Sequence, residues 1–229
     1  TYDAASEKVN DNTIYDLASL TKILSSSLAL MKLSEQKQFD YNQNLGYYFP
    51  EYKETNKYDF SYKDILTHQS GLQAMIPFWL RTQDKANNYK QGYYSNAKSE
   101  NYPTEVAKNL YIFKGYTDSI YKQIVASKVE PRGKYLYSDV GYYFSKKIIE
   151  NKTGKPLQDY VQQLFYAPLN VGLTYLPLTK YSVNQIAPTE NDTKFRKQTL
   201  RGYVHDQGAA LMGGVGGHAG LFGNANDVA

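Results

Sequence analysis

The sequence predicts an α+β fold, mostly helical, and three observations carry that prediction. Apolar residues recur at near-helical spacing after Ser19 and again from Val140 to Lys152, as expected of helices that turn one face to a core. Strand-like runs are short and gather between residues 174 and 201. Near the end stands Gly213-Gly214-Val215-Gly216-Gly217-His218-Ala219-Gly220, a density of glycine that means tight turns or backbone brought close to another group. The 229 residues are enough for one large domain or two small ones, and no internal repeat or low-complexity tract divides them.

Taken in order, residues 1–13 read as the tail of a strand and a turn. The helix after Ser19 runs to about Gln36, and its apolar run predicts burial on most sides. A loop with a short helical piece closes at Phe49-Pro50. Ser61 caps a helix that stops at Gln69-Ser70-Gly71. Residues 81–103 are polar and read as a long, mobile surface excursion. Helical character is expected again from Thr104, with a short helix over Ser119–Ser127 broken by Pro131-Arg132-Gly133. The amphipathic helix Val140–Lys152 ends at Thr153-Gly154, a second spans Leu157–Phe165, and Asn224 or Asn226 caps a last helix start.

Composition excludes several function classes. A net charge of +4 without a dense basic cluster argues against a nucleic-acid partner. There are no cysteines, so disulfides and thiolate metal sites are out. His68, His205 and His218 lack zinc-ligand spacing, and no metal or cofactor is expected. No apolar run approaches ~20 residues, so no membrane span is expected. There is no signal peptide, and the start at Thr1-Tyr2-Asp3 without Met suggests a processed or trimmed protein. The 24 tyrosines, against nine Phe and one Trp, suit a polar or carbohydrate-facing surface, or simply a biased composition.

The candidate chemistry begins at Asp16-Leu17-Ala18-Ser19-Leu20-Thr21-Lys22. Three residues apart on a helix, Ser19 and Lys22 share a face, so an amine can reach a hydroxyl. Near a helix N-terminus, free N–H groups and the helix dipole favour developing negative charge. Burial would desolvate Lys22 and bring it towards use as a base. The same spacing recurs at Ser34/Lys37, Ser95/Lys98 and Ser119/Lys122, all in polar surroundings. A helix start with Asp16 or Ser19 as N-cap is the competing reading.

Several segments in order resemble the serine β-lactamase and penicillin-binding family, in its class C and esterase-like branch. Asp16 to Lys22 is similar to the first motif. Ile65-Leu66-Thr67-His68-Gln69-Ser70-Gly71-Leu72 is similar to the leucine-threonine-histidine-x-serine-glycine segment, and Tyr137-Ser138-Asp139 to the second motif. Lys155-Pro156-Leu157 through Ala167-Pro168-Leu169 resembles a helix ending in a proline-leucine turn. Tyr94-Ser95-Asn96 matches Tyr-x-Asn letter for letter, but Tyr137 has the proline-glycine lead-in and the following helix, and is chosen. Asp139 stands where the family usually carries Asn; a carboxylate there would hold Lys22 protonated and shift proton transfer to Tyr137. His218-Ala219-Gly220 fits the third motif, Lys/His-x-Gly. Gly217 to Ala229 fits better the glycine-rich turn that lines the family's active site before a later third motif.

The resemblance implies one β-lactamase/DD-peptidase-like domain over 1–229, with an antiparallel sheet incomplete at both ends and the third motif lying beyond Ala229. It implies an acyl-enzyme on Ser19, with Lys22 and Tyr137 sharing the proton and an oxyanion hole built from the Ser19 N–H and a sheet strand. Gln73, Asp139, His218, Ala219 and Gly220 are the implied substrate contacts, and titration of His218 could make binding pH-sensitive. The implied substrate is an ester, peptide or β-lactam carbonyl, small or derived from peptidoglycan, in a periplasmic or secreted setting. The alternative is a glycan- or peptidoglycan-binding module, since such domains also occur fused to family-three glycoside hydrolases.

Overall fold

The computed structural model describes residues 7–229; the expected strand tail over 1–13 falls partly outside them, and residues 7–13 are turn and coil. Its centre is the helix Val140–Thr153, in which Val140, Gly141, Tyr142, Tyr143, Phe144, Ser145, Ile148 and Ile149 are all buried. Residues that meet neighbours on so many sides make a core helix rather than a surface one. Gly154 ends it in the left-handed region at φ 65°, where a Cβ would be strained.

The helix after Ser19 packs on this centre. It opens with a π-helical turn, Lys22–Ser27, and continues as the α-helix Leu28–Glu35. Burial on most sides is not what the structure shows. Ala29, Leu30 and Leu33 are buried, whereas Ile23 and Met31 are 57% and 67% exposed. The buried face is nonetheless the one that carries Lys22, Ser25 and Ser26.

Among the described residues, three small sheets complete the architecture. In the first, Leu221–Gly223 lies between Tyr15–Asp16 and Thr174–Tyr175, all antiparallel, with Asp16 opposite Phe222 and Tyr175 opposite Leu221. In the second, Leu110–Ile112 lies between Tyr94–Ser95 and Thr104–Ala107. The third is the hairpin Pro188–Asp192 with Gln198–Arg201.

The second sheet corrects two expectations. Residues 104–112 form a hairpin, not a helix, turning at Lys108-Asn109 with Asn109 at φ 55°. The polar stretch 81–103 is tied to the body. Tyr89 OH donates to the Phe195 carbonyl (2.6 Å) and Gln83 Nε2 to the Lys194 carbonyl (2.8 Å). Elsewhere the helices fall close to expectation: Tyr62–Leu66 with Ser61 as cap, Leu157–Val161 running on through a π-helical turn to Tyr166, and Ala225–Val228 with Asn224 as cap. The helix expected over Ser119–Ser127 begins earlier and spans Tyr116–Ala126.

Seven of the tyrosines, Tyr52, Tyr62, Tyr116, Tyr142, Tyr143, Tyr166 and Tyr175, are buried, while Tyr15, Tyr41, Tyr47, Tyr135 and Tyr137 are exposed. Several of the buried hydroxyls find partners, as buried phenols do. Tyr116 OH donates to the Phe78 carbonyl, Tyr166 OH to the Leu24 carbonyl, and Tyr62 OH pairs with Ser145 Oγ, each within 2.8 Å. These rings are core that carries its own polar handle.

The candidate active site

A strained turn presents Ser19. Ala18 sits in the left-handed region at φ 45°, a conformation that costs a non-glycine residue on the order of 1 kcal/mol. The Asp16 carboxylate supports it by accepting the Ala18 N–H (2.8 Å) and, on its other oxygen, the His205 N–H (2.6 Å). Burial pushes the Asp16 carboxyl above its ordinary range, against those two N–H groups. The turn leaves Ser19 exposed at the head of the helix. Among the described residues no acceptor takes the Ser19 N–H, so that donor is available to a ligand.

Three elements converge on the hydroxyl. Lys22 Nζ, 4% exposed, donates to Ser19 Oγ at 2.8 Å. Tyr137 OH donates to the same oxygen at 2.8 Å from the loop before the central helix. Lys22 Nζ also lies 2.6 Å from Asp139 Oδ1 and 3.4 Å from the His218 carbonyl. The contacts to Ser19 Oγ and the His218 carbonyl are hydrogen bonds, and that to Asp139 is an ion pair. The amine further stands 4.8 Å from the centre of the Tyr137 ring, within cation–π range.

Tyr137 is carried by a segment laid alongside residues 68–74. Leu136 N donates to the His68 carbonyl, Ser138 N to His68 Nδ1, Ser138 Oγ to the Gln73 carbonyl and Asp139 N to the Ala74 carbonyl, at 2.6–3.1 Å. Gln73 therefore reaches this wall through its backbone. Tyr94, the alternative tyrosine, is bonded to Thr82 in the second sheet and takes no part.

The glycine-rich stretch closes the far side. Ser26 Oγ donates to the Gly217 carbonyl (2.7 Å), and a Cβ on Gly217 would run into the Tyr142 carbonyl. Tyr175 OH donates to Ser25 Oγ and to the Gly216 carbonyl (2.8 and 3.1 Å). His218 stands at the wall of a small cavity with Asp139, Val140 and Asp206. Its ring is buried, stacks on Tyr143 with centroids 4.5 Å apart, and places Nε2 2.8 Å from Asp206 Oδ1. Burial opposes charge on Asp206, but the His218 charge and hydrogen bond, the Ala209 N–H and the Arg196 charge outweigh it and hold the carboxyl well below its ordinary range. Ala219 and Gly220 are buried, and the next N–H, of Leu221, donates to Thr21 Oγ1 (3.1 Å). Of the three, the His218 carbonyl is the part that meets Lys22.

Asp206, missed in the sequence, thus belongs to the site's frame. Asp206 caps the helix Gln207–Leu211, accepting the Ala209 N–H, and the Asp-Gln-Gly-Ala order is a cap signal that could have found it. The second bond that Asp16 accepts, from the His205 N–H, was not readable, because His205 is distant in sequence. Among the described residues no cluster could hold a metal ion, and no helix is long and apolar enough to cross a membrane.

A serine one helical turn from a buried lysine, with a tyrosine brought in from a separate loop, defines the class. A beta-lactamase family model matches residues 2–229, and the chain belongs to the beta-lactamase family. It is 34% identical over 242 residues to an N-acetylmuramyl-L-alanine amidase of Bacillus subtilis (strain 168), covering 97% of this chain and 49% of the relative. It is equally 34% identical over 245 residues to a protein of Escherichia coli (strain K12) named "Putative D-alanyl-D-alanine carboxypeptidase", covering 97% of this chain and 50% of the relative. A solved structure named beta-lactamase/D-alanine carboxypeptidase, from Yersinia pestis, superposes with a TM-score of 0.62 at 19% identity, over 98% of this chain and 54% of that one. That likeness shows the β-lactamase/DD-peptidase fold. The chain spans about half the length of the curated relatives it matches.

Proposed function

We propose that this chain carries the acylation centre of a serine hydrolase that opens an ester, amide or β-lactam carbonyl through an acyl-enzyme on Ser19. The observation that supports this most is the double hydrogen bond to Ser19 Oγ from Lys22 and Tyr137. In the proposed sequence Tyr137, having given up its own proton to solvent, takes the Ser19 proton on its phenolate oxygen as Ser19 Oγ attacks the carbonyl carbon. Lys22, held as an ammonium by Asp139, stabilises the charge on both oxygens. The Ser19 N–H supplies one donor to the oxyanion. The proton then goes to the leaving group, and water, activated along the same route, hydrolyses the acyl-enzyme. Asp139 thus makes Tyr137, rather than Lys22, the group through which the proton moves.

The relatives' names refer to N-acetylmuramyl-L-alanine and D-alanyl-D-alanine. We therefore place the substrate among cell-wall peptides and the protein in a periplasmic or secreted setting. Labelling with a fluorescent penicillin or a fluorophosphonate tests the reading. The expected result is a covalent adduct on Ser19, absent in Ser19→Ala; equal labelling of the variant would remove Ser19 from the role.

A further inference from the structure

His68 belongs to no step of that sequence, yet it holds both neighbours of Tyr137. The Leu136 N–H donates to its main-chain carbonyl at 2.8 Å, and the Ser138 N–H donates to its imidazole Nδ1 at 3.1 Å. The residue itself sits in the left-handed region at φ 59°, just past the end of the helix Tyr62–Leu66. That turn aims its carbonyl and its ring at the same segment. The ring then packs against Tyr137 with centroids 4.6 Å apart, and meets Tyr135 at 5.9 Å and Tyr142 at 6.2 Å.

We propose that His68 is a positioning residue: by accepting N–H bonds from both sides of Tyr137 it sets the phenol against Ser19, and it lets go when its ring is protonated. The chemistry of the bond carries the argument. A backbone N–H can only donate, so Nδ1 must present a lone pair and the ring proton must be on Nε2. An imidazolium has donors at both nitrogens, which would set N–H against N–H at Ser138. It would also place a second cation in the surroundings of Lys22. The groups that face His68 are the Tyr135, Tyr137 and Tyr142 rings, the Lys22 ammonium and the Asp139 carboxylate. Burial pushes the imidazole below its ordinary 6.5, Lys22 adds to this and Asp139 opposes it. A lowered value means the neutral, bond-accepting ring is present above the ordinary value and is lost as pH falls through the folded one. Loss of activity in acid should therefore be centred below pH 6.5.

The inference rests on the proposed role of Tyr137, so the test reads the anchor and the chemistry separately, both in the full chain. By NMR of the resting protein, His68 is expected as the Nε2–H tautomer, and the Ser138 amide should titrate with it. By fluorophosphonate labelling, His68→Ala should lower the limiting rate on the order of a hundredfold, the scale of a misplaced reacting group, with the half-saturating concentration unchanged. His68→Asn should restore most of that rate. Its Oδ1 takes the place of Nδ1, and Asn tolerates the left-handed backbone. It should also lack the acid limb. Should His68→Ala fail to fold, His68→Asn and the NMR titration still decide. A Ser138 amide indifferent to His68, or an acid limb that persists in His68→Asn, would overturn the proposal. Absence of labelling in the parent chain with the Ser138 coupling intact would overturn the acyl-enzyme reading and leave the anchor standing.

Discussion

At the residue scale the site turns on one substitution, Asp139 for the usual Asn. The carboxylate is 26% exposed and 2.6 Å from a nearly buried amine, so the pair is only partly screened by solvent. In Asp139→Asn the anion 2.6 Å from the Lys22 amine is gone. The pH dependence of Ser19 labelling should then differ from that of the parent. A pH–rate profile of the variant superimposable on that of the parent would show that the ion pair does not govern the proton. Asp139 itself was legible, since Tyr-Ser-Asp stands directly before a strongly amphipathic helix. The distance to Lys22 was not, because it depends on a fold that brings residues 22 and 139 together across the core. His218 shows the reverse. Its His-x-Gly pattern suggests a side chain offered to substrate, but the ring turns inward to Asp206, a partner that no local spacing announces.

Among the elements, those with chemical punctuation were readable. Ser61, Asn224 and Gly154 mark helix ends through cap oxygens and a left-handed glycine, local physics that survives without tertiary context. The hairpin 104–112 was misread because a short apolar run does not distinguish helix from strand, and the turn signal, Asn109, lacks the glycine that usually accompanies it. The glycine stretch was read correctly as close backbone approach, and it can be tested at Gly217. Between the Tyr142 carbonyl and Ser26 there is no room for a Cβ. Gly217→Ala should lose roughly 1–3 kcal/mol of stability, as overpacking does, seen as a lower urea midpoint with the slope unchanged. It should also slow Ser19 labelling, because the next residue's carbonyl is a Lys22 acceptor. An alanine variant as stable as the parent would mean that the two helices are not spaced by this contact.

Over the whole molecule, composition pointed tyrosine towards a surface, and the fold carries seven of the rings into the core. Hydroxyls paired to carbonyls make large rings tolerable in a core, and each such ring ties folding to a proton. Burial pushes Tyr116 up to about 12, and Tyr62, Tyr143, Tyr166 and Tyr175 higher still. The unfolded chain releases these protons near the ordinary value of 10, while the folded chain keeps them. Their stabilising effect is therefore complete below pH 10 and is lost as pH rises towards the folded values, by up to about 1.4 kcal/mol per pH unit for each fully linked group. Five such groups acting together make the slope steep against a typical stability of roughly 5–15 kcal/mol. Alkaline titration should give one cooperative step above pH 10, in which phenolate absorbance rises as the far-ultraviolet circular dichroism collapses. A gradual phenolate rise centred on pH 10 with the fold intact would show that the interior rings are open to solvent, contrary to the packing described for them.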